Sequence, residues 1–416
     1  MLLQVHSYIR AGRFHVYMKI CLYECTKEAP RYEHCVLQTQ LMSCASSGEP
    51  QSGGFANGAG ELHSYIFVMF HVKHLIETFQ ESGYNIFISF KKGMVFIMKK
   101  GKGKALIVLT GLAAAGLHLL NRYEYTQATS PESVSSIGSS TYKWRFGNIS
   151  YTKAGQGTPL LLLHDLTPGS SSFEFSKLQS ELSATYETYA LNLLGYGSSE
   201  KPELTYTNYL YVQLITDFIK NVIKRPTIVI ASGMTISAVF MADYAGNAMI
   251  TRVIGINPPD LSFLSQVPSL STRLQKKLIE LPIIGTFLYN KATSRNAFEK
   301  AFKSEYFYNP YNVEDTFISA YFRAAHIPNY HSRITYASFL GRHLNVNISH
   351  ALRAMEDPVC LITGEHQDGE AEIVKAYLKY NPSFHLVTIP VTRKLPHLER
   401  PDATAECIRT FLNNDK

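Results

Sequence analysis

Short apolar runs alternate with amphipathic stretches from residue 141 onward. Apolar runs bounded by polar or glycine-containing loops predict buried strands at 160–163, 188–193, 227–230 and 252–257. Between these runs, apolar residues recur at helical spacing, as they do at Phe173, Phe175, Leu178 and Leu182. This alternation predicts a doubly wound, mostly parallel sheet with helices on both faces, an α/β fold.

The segment 261–350 interrupts this rhythm. It contains several helical patterns and many Tyr, Phe and His residues, and it has no clear buried strand. Strand and helix patterns then resume and continue to residue 412. We therefore expect a core formed by residues 141–260 and 351–416, with residues 261–350 as a helical cap over the sheet.

Residues 1–97 show no sustained helical or strand period, and their composition differs from that of the remainder. The lysines of 99–104 are followed by an apolar run at 105–120. This order predicts that 1–97 is an extension without a fold upstream of a natural start at Met94 or Met98. It also predicts a bacterial-type signal anchor or transmembrane segment at 98–125.

On this interpretation residues 98–122 contact the membrane, and the main domain lies outside the cytoplasm. The alternative is a buried or interfacial helix, because the apolar run is shorter than the ~20 residues that cross a bilayer comfortably. A Ser/Thr-rich stretch at 126–140 is expected to be a flexible linker.

Charge and cysteine content exclude several classes of function. The net charge of +7 arises partly from the short run 99–104, and no basic stripe interleaved with aromatics predicts nucleic-acid binding. Four of the six cysteines fall within the first fifty residues and lack the close pairs of a zinc site. No P-loop is present, and 195–199 lacks the third glycine of a dinucleotide loop, so no metal or cofactor is expected.

The stretch 227–245 carries the main chemical signal. A β-branched run leads through Ala231-Ser232-Gly233 into an apolar pattern of helical period. A buried strand that turns sharply into a helix is the geometry of a nucleophile elbow, usually G-x-S-x-G. Here Gly233-Met234-Thr235-Ile236-Ser237 places Thr235 at the nucleophile position.

Four stretches together resemble the α/β-hydrolase superfamily, in its branch with a helical cap. They are LLLLHDL at 160–166, NLLGYGSSEKP at 192–202, the elbow, and LPHLERP at 395–401. In the first stretch Asp165 replaces the glycine of the family's His-Gly oxyanion loop. The resemblance implies hydrolysis of a small ester or acyl-type substrate through a Ser-His-carboxylate triad.

Carried over by position, the triad falls on three changed residues. The nucleophile is Thr235, the base five residues before Glu399 is Lys394, and the acid three residues after Gly364 is Gln367. A β-branched residue at positive φ is strained, an ammonium group is a poor base, and an amide cannot stabilise an imidazolium by charge.

Substitutes for these groups lie nearby. His397 is a possible base or a histidine packed under the terminal helix, and Asp368 is a possible acid or a solvated loop residue. The resemblance places the oxyanion donors at the backbone N–H groups of Leu166 and Ile236. Two functions remain open: a hydrolase with non-standard residues, and a catalytically silent relative that binds a small molecule or a partner at the cell envelope.

Overall fold

The computed structural model describes residues 3–11, 14–22, 85–89, 94–98, 102–129, 139–246, 248–327 and 331–413. The chain divides into two units, residues 1–100 and 101–416. In the first unit, β1 (Leu3–Ala11) pairs antiparallel with β2 (Phe14–Leu22), and β3 (Asn85–Ser89) pairs antiparallel with β4 (Met94–Met98). That residues 1–97 form an extension upstream of the natural start stays a prediction.

An eight-stranded sheet forms the centre of the second unit. Its strands are β5 (Ser139–Trp144), β6 (Gly147–Ala154), β7 (Pro159–Leu163), β8 (Glu187–Leu191), β9 (Thr227–Ser232), β10 (Ile250–Ile256), β11 (Val359–Gly364) and β12 (His385–Ile389). The order is β12-β11-β10-β9-β7-β8-β6-β5; β6 pairs antiparallel with both β5 and β8, and the other neighbouring strands pair in parallel. The predicted doubly wound, mostly parallel sheet is confirmed.

Helices cover both faces of this sheet. The helices of the second unit, in chain order, are α1 (Lys102–Ala128), α2 (Ser176–Leu182), α3 (Asn208–Phe218), α4 (Thr235–Tyr244), α5 (Leu261–Leu264), α6 (Leu270–Glu280), α7 (Ile284–Ala292), α8 (Arg295–Ala301), α9 (Asp315–His326), α10 (Ser332–Leu340), α11 (Ser349–Ala354), α12 (Glu370–Tyr380), α13 (Pro396–Glu399) and α14 (Pro401–Asn413), and not all of them lie on the sheet. Leu161 and Leu163 of β7 point into one core, and Leu160 and Leu162 point into the other, because side chains alternate along a strand.

A helical insertion, α5 to α11, separates β10 from β11. Its aromatic core includes Phe302 and Tyr321 and packs against Leu395 and Leu398, which follow β12. The carboxylate of Glu399 stabilises this contact, because it accepts hydrogen bonds from the backbone N–H groups of Tyr308, Asn309 and Arg393 at 2.9–3.2 Å. The insertion is thereby joined to the loop between β12 and α13.

The end of α1 packs on the insertion. The buried Asn121 donates from Nδ2 to the carbonyl oxygen of Ile283, and its Oδ1 accepts from Nδ2 of Asn290, each at 3.1 Å. The helix continues to Ala128 and β5 begins at Ser139, so the described ends of the stretch predicted as a linker at 126–140 belong to a helix and a strand. Among the residues that the structure describes, no helix combines the length and apolar character needed to cross a bilayer.

Lys201 is buried in the loop between β8 and α3. Its Nζ donates to the carbonyl oxygen of Gly197 at 2.7 Å, and its side chain has almost no contact with solvent. Burial lowers the pKa of Lys201 to about 7, because desolvation disfavours the ammonium form.

This burial predicts a pH dependence of stability. Between a pKa of about 7 in the folded chain and the ordinary 10.5, the unfolded chain binds more protons at this residue. The contribution of Lys201 to the free energy of unfolding therefore increases with pH through this window. We expect Lys201→Met to remove that contribution in urea unfolding, while Lys220→Met, at an exposed lysine, leaves it unchanged. Equal pH slopes for wild type and Lys201→Met would contradict this.

Candidate active site

The turn between β9 and α4 has its apex at Gly233. The strand ends at Ser232, Gly233 has a φ of 55°, and Met234 already has right-handed helical angles. The apex of the turn is therefore Gly233, two residues before Thr235, the predicted nucleophile position. Thr235 is the first residue of α4, so the positive φ that would strain a β-branched side chain does not fall on it.

The hydroxyl groups around the elbow have structural contacts. Oγ1 of the fully buried Thr235 donates to the carbonyl oxygen of His164 at 2.6 Å and ties α4 to the end of β7. Oγ of Ser237 donates to the carbonyl oxygen of Met234. Oγ of Ser232 is buried without a hydrogen-bond partner among the described residues. None of these hydroxyls belongs to the apex residue.

The carboxylate of Asp165 occupies the apex instead. Its Oδ1 accepts hydrogen bonds from the backbone N–H groups of Leu166 at 2.7 Å and Met234 at 2.8 Å. A Cβ atom built on Gly233 would lie 2.2 Å from both Cγ and Oδ1 of Asp165. The carboxylate therefore fills the volume of a nucleophile side chain and occupies the two N–H groups that would stabilise an oxyanion.

The two backbone N–H groups predicted as oxyanion donors have different hydrogen-bond acceptors. The N–H of Leu166 points to the apex, as described. The N–H of Ile236 donates to the carbonyl oxygen of Gly233 within the turn, and Met234 supplies the second donor. Met234 donates in place of Ile236 because this donor is the residue that directly follows the apex, and the apex is Gly233. The sequence signal that could have revealed the arrangement was Asp165 in place of glycine.

The side chain of His164 is hydrogen-bonded to the backbone of Asp165. Its Nε2 accepts from the backbone N–H of Leu193 at 3.0 Å, so the ring carries its proton on Nδ1 and donates to the carbonyl oxygen of Asp165 at 2.7 Å. Burial lowers the pKa of His164 to about 4, which keeps the imidazole neutral in this arrangement. The ring is a structural hydrogen-bonding group.

The positive charge of Lys394, the residue predicted at the family's base position, acts on the Asp165 carboxylate. Burial raises the pKa of Asp165 above its ordinary value, against the opposing charge of Lys394 and the two backbone N–H donors. Nζ of Lys394 lies 5.1 Å from the centre of the Tyr306 ring. The apex therefore holds a carboxylate that interacts with the positive charge of Lys394.

The predicted acid residues lie in the turn before α12. The backbone N–H of Gln367 donates to the carbonyl oxygen of Gly364, and Gln367 is half-buried. Asp368 is exposed. Among the residues that the structure describes, neither side chain has a hydrogen bond to Lys394 or His397, so the structure does not assemble them with a base.

His397 pairs with a carboxylate that the sequence did not indicate. Its Nε2 lies 3.2 Å from Oε1 of Glu174, both side chains are fully buried, and the ring stacks on Phe175 at 4.8 Å. Burial raises the pKa of Glu174, but the hydrogen bond and charge of His397 outweigh this and hold the pKa below its usual value. Oε2 of Glu174 accepts from the backbone N–H of Asp165 at 3.3 Å. The Glu174–His397 pair is thereby hydrogen-bonded to the loop that contains Asp165.

Nδ1 of His397 is buried without a partner among the described residues. His397 is thus packed within the core beside an acid, and its role as a base stays a prediction. In the described part of the chain, no group of His, Cys, Asp or Glu side chains could hold a metal ion.

Comparisons with known proteins agree with this architecture. Residues 160–407 match the sequence model of the "Alpha/beta hydrolase family", and the chain belongs to that family. Over 95 residues it is 32% identical to 2-hydroxy-6-oxo-6-(2'-aminophenyl)hexa-2,4-dienoic acid hydrolase of Metapseudomonas resinovorans. That match covers 21% of this chain and 33% of the relative, so it spans about a third of the relative's length.

Solved structures share the fold at low sequence identity. The epoxide hydrolase CorEH has a TM-score of 0.55 and 18% identity, over 67% of this chain and 99% of its own. A membrane phospholipase A, titled a bacterial virulence factor, has a TM-score of 0.52 and 18% identity, over 74% of this chain and 96% of its own. These likenesses show the fold.

The buried pair predicts a large loss of stability in Glu174→Gln. The substitution leaves His397 in the core without its charged partner, and breaking a buried pair costs about 3–5 kcal/mol. The control is Glu314→Gln, which removes a surface ion pair with Lys177 and should cost about 1 kcal/mol or less. Urea unfolding measures both. Similar small losses in the two variants would show that the Glu174–His397 contact is not a stabilising ion pair.

Proposed function

We propose that this member of the α/β-hydrolase family does not hydrolyse esters through the serine mechanism and binds a small polar ligand at the elbow. One observation carries the proposal: the Asp165 carboxylate lies at the apex, over Gly233, and accepts from the two oxyanion-type N–H groups. A ligand there meets an acceptor in Asp165 and a donor in Lys394.

The expected catalytic loss is large. Removing the nucleophile of a serine hydrolase costs on the order of a millionfold in kcat. Each oxyanion donor contributes about a hundred- to a thousandfold, and here both donors are engaged by an internal carboxylate. An ammonium group at position 394 has no lone pair with which to accept a proton from a nucleophile.

Ester turnover tests this proposal. We expect the wild-type protein to show no hydrolysis of p-nitrophenyl esters of several chain lengths above background, and no labelling by a fluorophosphonate probe. Gly233→Ser alone should remain inactive, because its side chain would collide with Asp165. The triple variant Gly233→Ser, Asp165→Gly, Lys394→His should gain turnover, because it restores the apex, the donors and the base. Wild-type turnover that Thr235→Ala abolishes would refute the proposal.

A second candidate is a hydrolase that uses Asp165 as its nucleophile. Oδ1 is held by two N–H groups, whereas Oδ2 has no hydrogen bond from the described residues. Oδ2 could attack a carbon of an epoxide: the Oδ2–C bond forms, the ring C–O bond breaks, and Lys394 protonates the leaving oxygen. Water would then attack Cγ and give a proton to the now neutral Lys394, with the developing oxyanion on Oδ1 stabilised by the N–H groups of Leu166 and Met234. The Cγ–Oδ2 bond breaks, the diol leaves with Oδ2, and the Asp165 carboxylate is restored.

An electrophile distinguishes the two candidates. We incubate the protein with styrene oxide in ¹⁸O-labelled water and measure the mass of the peptide that contains Asp165. The ligand-binding proposal expects neither an adduct nor ¹⁸O in that peptide, so the incubation leaves its mass unchanged, as it does for the corresponding peptide of Asp165→Asn. An adduct or incorporated ¹⁸O that is absent from Asp165→Asn would favour the second candidate.

A further inference from the structure

The outer face of α6 carries a stripe of exposed leucines. Leu270 is 87% exposed, Leu274 68% and Leu278 43%, and spacing by four residues places them on one side of the helix. Leu281, directly after the helix, continues the same side and is 45% exposed. The opposite side packs on the protein through the buried Ile279. The leucine stripe therefore points away from the protein body.

Further apolar side chains adjoin the stripe. Ile283 and Ile284, which begin the next helix, are 36% and 46% exposed. The carbonyl of Ile283 accepts from Asn121 of α1, and Leu120, the residue before Asn121, is 54% exposed. Single exposed apolar residues are common on soluble proteins, but contiguous ones mark an interaction site.

A row of positive charge flanks the stripe. Arg273 and Lys277 are exposed and lie four residues apart, three residues after Leu270 and Leu274 respectively. Lys276 is paired with Glu280, the one acidic residue of α6. The helix therefore presents leucines outward, with two basic groups along their edge that form no ion pair with any residue the structure describes.

We propose that α6 and residues 281–284 form an interfacial surface that docks on an anionic lipid bilayer. An outward apolar face with a basic edge is the pattern of helices that lie in the plane of a membrane interface. Acyl chains accept the leucines, while lipid phosphates pair with Arg273 and Lys277. With 11 residues, α6 is too short to span the bilayer, so it lies along the surface.

Charge favours a bilayer over a second copy of the chain. A symmetric dimer through the leucine stripe would bring together two basic rows, and α6 offers only Glu280 to neutralise them. The surface is separate from the elbow in sequence, and docking does not depend on whether the elbow binds or hydrolyses its ligand.

Flotation of the full-length protein with vesicles tests the proposal. We expect tighter binding to equimolar phosphatidylcholine and phosphatidylglycerol than to phosphatidylcholine alone. Leu274→Asp with Leu278→Asp should weaken binding by on the order of a hundredfold through lost apolar burial. Arg273→Gln with Lys277→Gln should lower binding to the mixed vesicles by about fivefold per residue, with little effect on neutral vesicles.

The control is Tyr209→Asp with Tyr244→Asp, which removes two exposed apolar side chains on α3 and α4 and adds the same charge. It should bind like wild type, and thermal unfolding should show that all variants are folded. Equal vesicle binding by wild type and the leucine variant would overturn the proposal. So would the absence of vesicle binding together with a dimer, seen by analytical ultracentrifugation, that the leucine variant abolishes.

Discussion

The hydrogen bonds from Leu166 and Met234 to the Asp165 carboxylate join the end of β7 to the beginning of α4. A helix N-terminus attracts an anion, because its first N–H groups are unpaired and its dipole is positive there. In a serine hydrolase these N–H groups stabilise an oxyanion that forms during the reaction. Here they bind the carboxylate of Asp165, which is part of the folded protein.

Two buried carboxylates lie close together beneath the insertion, and their surroundings shift their pKa values in opposite directions. Glu174 has His397 as a direct partner, which holds its pKa low despite burial. Asp165 has backbone N–H groups and the charge of Lys394, and burial prevails so that its pKa is raised. The adjacent negative charge of Glu174 contributes to that rise. Of these two buried carboxylates, only that of Glu174 pairs with a histidine side chain.

Much of the fold could be predicted from the sequence, because a strand buried on both faces gives a continuous apolar run, as in 160–163. The register of the elbow could not, since small residues occur at several spacings around Gly233 and only the end of β9 decides between them. Asp165 was visible as a departure from the family pattern, but its contact with Met234 depends on the fold. Glu174 and His397, 223 residues apart, have no local signal that connects them.

Glu399 shows what a terminal sequence motif reports. Its carboxylate accepts backbone N–H groups from the helical insertion and from the loop that carries Lys394. The role of Glu399 is thus architectural, and it is fulfilled here with a lysine five residues earlier. In this chain the L-E-x-P segment is therefore a marker of how the insertion is attached, and it does not depend on a histidine at position 394.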